Sequence, residues 1–78
     1  MTAEQEEDLY QIQVRLFRLF QLNESISMAE CSKIFKKYDV YSYIETCYEI
    51  YHMQGDEANL ADIKNYLKAQ GYKNEIKK

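Results

Sequence analysis

The spacing of apolar residues along the chain predicts four helices, near residues 3–22, 28–37, 40–54 and 60–70. In the first, Leu9, Ile12, Leu16, Leu19 and Phe20 follow one stripe, and Tyr10, Val14 and Phe17 form a second stripe beside it. Projected at about 100° per residue, the two stripes cover more than half of the helix circumference. One flank of a core helix needs less. Either the surplus meets another chain, or the remaining helices wrap the first as a central element. The second helix is narrower, with Met28, Cys31, Ile34, Phe35 and Tyr38 inward and Ser32, Lys33, Lys36 and Lys37 outward. The third places Val40, Tyr41, Tyr43, Ile44, Cys47, Tyr48, Ile50 and Tyr51 on one half and Ser42, Glu45, Thr46, Glu49, His52 and Met53 on the other. Its residue types also suit a strand, but the run is too long for one. The fourth helix turns Leu60, Ile63, Tyr66 and Leu67 inward.

Start and stop signals set the boundaries. Thr2-Ala3-Glu4-Gln5 and Ser27-Met28-Ala29-Glu30 read as capping boxes, the latter with Ile26 and Cys31 at staple positions. Glu4, Glu6, Glu7 and Asp8 place negative charge at the positive end of the first helix dipole. Asp39 is expected to cap the third helix after a very short, sharp corner, with Tyr38 and Tyr43 around it. Gly55 is expected to stop that helix in the left-handed conformation, with Asn59 then capping the fourth. Gly71 ends the fourth helix, with Tyr72 folding back on Leu67. The expected fold is all-α, a compact bundle of about four short helices. Residues 1–72 form a single helical domain and 73–78 a frayed basic tail. Its core is Leu9, Ile12, Leu16, Phe20, Ile34, Phe35, Ile44, Cys47, Tyr51, Ile63 and Leu67.

A chain of 78 residues has room for one core. Eight tyrosines, three phenylalanines and no tryptophan make that core one with polar tips, suited to a thin interior or to an interface. The net charge of −3 argues against sequence-independent binding to nucleic acid and against an anionic membrane surface. The acidic start is unlike a secretory signal, and no apolar run reaches the length of a membrane span, so a cytoplasmic protein is expected. Cys31 and Cys47 fall on apolar helix faces outside any CxxC pair and are expected to be free thiols. His52 is the single histidine, and no set of ligands with metal-site spacing and no glycine-rich phosphate loop occurs. The expectation is a protein that is not an enzyme and carries no cofactor or metal.

Lys37, Tyr38, Val40, Tyr43, Ile44, a shifted Tyr48, His52, Gly55, Asp62 and Ile63 follow a recurring pattern over about half of the chain. In it the chain resembles a family of short helical bacterial proteins of unknown function, often encoded beside ADP-ribosyltransferase-like proteins. Met53 and Ala58-Asn59 stand where that pattern often has a threonine and an aromatic residue. The resemblance implies an accessory protein, one half of an antitoxin-like pair with a bacterial enzyme.

The surplus apolar face and the tyrosines together point to a protein–protein interaction module, through self-association or an enzyme partner. Tyr10, Val14 and Phe17 are the expected contact residues, joined by Tyr48 and His52 from the recurring pattern. The alternative is a helix-turn-helix DNA-binding protein built on the sharp corner between the second and third helices. Against it, the outward face of the third helix offers Glu45 and Glu49, and no Arg, Lys, Asn or Gln to read base edges.

Overall fold

The computed structural model describes residues 1–73. It is all-helical, with α1 (Ala3–Glu24), α2 (Met28–Lys37), α3 (Val40–Thr46), α4 (Tyr48–Tyr51) and α5 (Asp56–Ala69). The helical bundle expected from periodicity is present, with the third run divided in two. Of the expected tail, only Lys73 falls within the described residues.

Both sequence signals mark true helix starts, with the full reciprocal box at Thr2 and a one-way side-chain cap at Ser27. The Gln5 amide N–H donates to Thr2 Oγ1 at 3.1 Å, and the Thr2 amide N–H donates to Gln5 Oε1 at 2.9 Å. The Ser27 hydroxyl oxygen accepts from the Glu30 amide at 3.0 Å. Two helices end in Schellman turns. In α1 the left-handed residue is Ser25, followed by buried Ile26, whose amide donates to the Gln21 carbonyl. In α5 it is Gly71, at φ 100°, and the Tyr72 amide returns to the Leu67 carbonyl at 2.9 Å.

Three boundaries differ from expectation. The third run breaks at Cys47, whose dihedrals (φ −93°, ψ 9°) leave the helical well. The run is rich in tyrosine, isoleucine and threonine, all mediocre helix formers, so little local preference opposes the break. Asp39 caps α3 with no side-chain hydrogen bond, because it takes the left-handed conformation at the corner (φ 56°). Gly55 is extended (φ −76°, ψ 167°) and opens α5 as its N-cap instead of stopping the helix before it. Asp56 and Glu57 occupy the first turn, where the dipole favours acid, and Asn59 sits inside the helix and is buried.

Leu9, Ile12, Leu16 and Phe20 of α1 face Cys31 and Phe35 of α2, Val40 and Ile44 of α3, Tyr48 and Tyr51 of α4, and Ile63 and Leu67 of α5. Of the expected core, all but Ile34 and Cys47 are buried, and those two are half-buried against it. Met28 and Ile50, placed inward by spacing, are instead 61% and 62% exposed. Each sits at the edge of its stripe, where the bundle no longer covers it. The packing leaves α1 with a fully covered inner face and an outer face that none of the other helices covers.

Candidate functional site

The outer face of α1 begins with residues on the side opposite Ile12 and Leu16. Glu7, Tyr10, Gln11, Val14 and Arg18 project there by helical spacing. Tyr10 is 63% exposed and Val14 49% exposed, one helical turn apart in the middle of a 22-residue helix. Phe17, expected beside them, turns half inward and meets the Phe35 ring edge-on at 5.2 Å. The second stripe is therefore divided between surface and core. Exposed Tyr41 of α3 continues the patch, its backbone oxygen accepting from Gln13 Nε2 at 3.1 Å.

Charge frames this patch asymmetrically. Glu4 and Glu7 lie on the N-terminal half of α1, Arg15 and Arg18 on the C-terminal half. Arg15 Nε donates to Asp56 Oδ2 at 3.0 Å and so ties α1 to the start of α5. Among the described residues Arg18 forms no ion pair. Gln11 Nε2 donates to Glu7 Oε2 at 3.1 Å, which keeps the Glu7 carboxylate on the outer face.

Tyr48 and His52 come together, but on the other flank of α1. Their rings stack at 4.9 Å and 12°. The Tyr48 hydroxyl donates to Asp8 Oδ2 at 2.9 Å, and the side chain is only 6% exposed. Burial, with that hydrogen bond, raises the Tyr48 pKa above its ordinary value. His52 is exposed. Tyr48 thus works mainly as packing between α4 and α1, leaving His52 as the accessible member of the pair.

Sequence reading missed a polar cluster between α3, α4 and α5. The Tyr43 and Tyr51 hydroxyls both donate to Asp62 Oδ2, at 2.7 Å and 2.6 Å. Burial first, then the hydrogen bond to Asp62, drives both tyrosine pKa values up. Tyr43 also stacks on Tyr66 at 3.9 Å, and the Tyr66 hydroxyl donates to the Tyr38 carbonyl at 2.6 Å. Buried Asn59 donates to the Tyr51 carbonyl at 3.0 Å and accepts from Gln54 Nε2 at 2.8 Å. Among the described residues no buried side-chain nitrogen or oxygen lacks a partner. The cluster reads as a satisfied, rigid joint rather than a reactive centre.

A cleft of about 470 Å³ opens beside the α5 terminus, over Phe20 and Tyr72, with Lys64, Lys68 and Lys73 around the buried Glu24 carboxylate. Lys64 Nζ lies 3.8 Å from Glu24 Oε2 and donates to Asn23 Oδ1 at 2.6 Å. The Tyr72 pKa is pushed up to about 12 by burial and by Glu24. Among the described residues, no three His, Cys, Asp or Glu side chains are grouped to hold a metal ion, and no helix is long and apolar enough to cross a membrane. Both cysteines are free; Cys31 is buried, its Sγ is 3.5 Å from the Phe17 carbonyl, and burial pushes its pKa up to about 12.

The chain belongs to the family described as protein of unknown function (DUF3791), which it matches over residues 13–70. That span holds all ten residues of the recurring pattern, from Lys37 to Ile63. No curated protein and no solved structure matches the chain.

Proposed function

We propose that this chain is a small cytoplasmic protein–protein interaction module whose contact surface is the outer face of α1. The observation that carries this reading is the pair Tyr10 and Val14, apolar and exposed at the centre of the longest helix, with half-buried Phe17 and exposed Tyr41 extending the patch. Interface centres are enriched in aromatic residues, and a monomeric domain rarely leaves a large contiguous apolar patch in water. The resemblance to bacterial proteins encoded beside ADP-ribosyltransferase-like proteins supports an accessory, antitoxin-like role toward an enzyme. DNA recognition by the α2–α3 corner has weaker support, because α3 and α4 turn Glu45 and Glu49 outward, where phosphates would be repelled.

The test is a Tyr10→Glu, Val14→Glu double variant, followed by circular dichroism and by sedimentation alone and with an ADP-ribosyltransferase-like protein. Both side chains are exposed, so the variant is expected to keep its helix content and to lose its association. A variant that retains association would remove α1 from the reading.

A further inference from the structure

We infer that the outer face of α1 pairs antiparallel with α1 of a second copy of this chain. The inference rests on the reading of that face as a contact surface, and it adds the occupant and the register. The ground for it is how charge is distributed along the helix. Glu4 and Glu7 precede Tyr10 and Val14, and Arg15 and Arg18 follow at or beyond Val14. Laid parallel, two such helices would set acid against acid and base against base. Laid antiparallel, each acidic half faces a basic half.

The register follows from helical geometry. A two-fold axis between residues 12 and 13 brings Glu7 opposite Arg18 of the second copy, and the symmetric pair forms on the other side of the axis. Tyr10 then lies beside Val14 of the second copy, since both project from the same flank of the face. The axis leaves the apolar pair at the centre and the ion pairs outside it, the usual order of an interface. Arg18 is available because it forms no ion pair among the described residues, whereas Arg15 is already engaged by Asp56. Glu7 is held outward by Gln11, which reduces the ordering needed to meet a partner.

Sedimentation equilibrium of four proteins tests it: wild type, Glu7→Arg, Arg18→Glu, and the charge-swapped double variant. Each side chain is on the surface, and circular dichroism checks that each variant stays folded. The wild type is expected to dimerise, more tightly at low salt than at high salt. Each single reversal places two like-charged pairs across the axis and is expected to weaken dimerisation about tenfold. The double swap is expected to restore it. In a parallel pairing the single reversals would change little, because like charges already face each other there. A wild type that stays monomeric up to about 1 mM overturns the inference. So does a loss in the single variants that the double variant does not recover. A monomeric wild type that still associates with the enzyme partner tested above, and loses it in the Tyr10→Glu, Val14→Glu variant, sinks the self-pairing and leaves the contact-surface reading intact.

Discussion

Around Phe35 the bundle is dry and aromatic, whereas around Asp62 it is held by hydroxyl groups. Phe35 meets Phe17 at 5.2 Å, Phe20 at 5.8 Å and Tyr41 at 5.1 Å, with tilted or edge-on rings. Its stabilisation comes from area removed from water and from ring contacts. At the other end, Tyr43 and Tyr51 converge on one carboxylate oxygen, and Asn59 binds the Tyr51 carbonyl. Each hydroxyl buried there would be costly without its acceptor. The difference teaches how a chain of this size fills its interior with tyrosine. Where α1 and α2 bring long apolar stripes together, rings pack on rings. Where the short α3 and α4 meet α5, the tyrosine tips fall inside, and Asp62 and Asn59 are placed to receive them.

The largest expected effect is at the dry end. Phe35→Ala should cost about 3–5 kcal/mol and Leu16→Ala about 2–5 kcal/mol in a denaturant melt. A loss near zero at either would mean that the core lies elsewhere. At the polar end, Asp62→Ala should cost about 1–3 kcal/mol, mainly from the Tyr51 hydroxyl, since half-buried Tyr43 can turn to water. A cost equal to that of Phe35→Ala would erase the contrast between the ends. Tyr43→Phe removes one donor and leaves Tyr51 on Asp62, so a smaller loss is expected, about 0.5–1.5 kcal/mol.

Alkaline pH separates the ends without mutation. Folding raises the Tyr43 and Tyr51 pKa values above the ordinary 10.0, through burial first and then the bond to Asp62. The folded state therefore holds its phenolic protons longer than the unfolded state. Stability from these groups is fully present below pH 10.0 and falls as pH rises past it. Tyr72 adds its share between 10.0 and about 12. Tyrosinate absorbance of this region should rise together with loss of helical circular dichroism. Free titration at constant helix content would show that the hydroxyls are not held. The smallest effect is expected at the cysteines. Reductant should leave the melting temperature unchanged, because both thiols are free. A thiol reagent should reach buried Cys31 only on unfolding, and rapid reaction in the native protein would contradict its placement beside Phe17.

Most of the dry end was legible. Leu9, Ile12, Leu16, Phe20 and Phe35 keep helical spacing over long elements, so their burial follows from periodicity alone. The candidate surface was half legible. Tyr10, Val14 and Phe17 share a stripe, but spacing could not tell that Phe17 would swing toward Phe35 while its neighbours stayed in water. The polar joint was not legible. Asn59 reads as a cap, because its residue type favours helix starts, and Asp62 as one more polar position on a helix. A buried partner for a tyrosine hydroxyl carries no local signal.

The sequence by itself determined the helical class, the Thr2 capping box and the Ser27 cap, the close of α5 at Gly71 and the inner face of α1. These depend on residues three to five apart, whose relation the helix and its end turn fix before any tertiary contact forms. Tertiary structure decided the convergence of Tyr43 and Tyr51 on Asp62, and which part of the second α1 stripe stays in water. Those depend on residues eight or more apart, such as Tyr51 with Asn59 or Tyr43 with Asp62, or on helix edges that only a neighbouring element can cover. Their free energy is gained only once the bundle has closed around them.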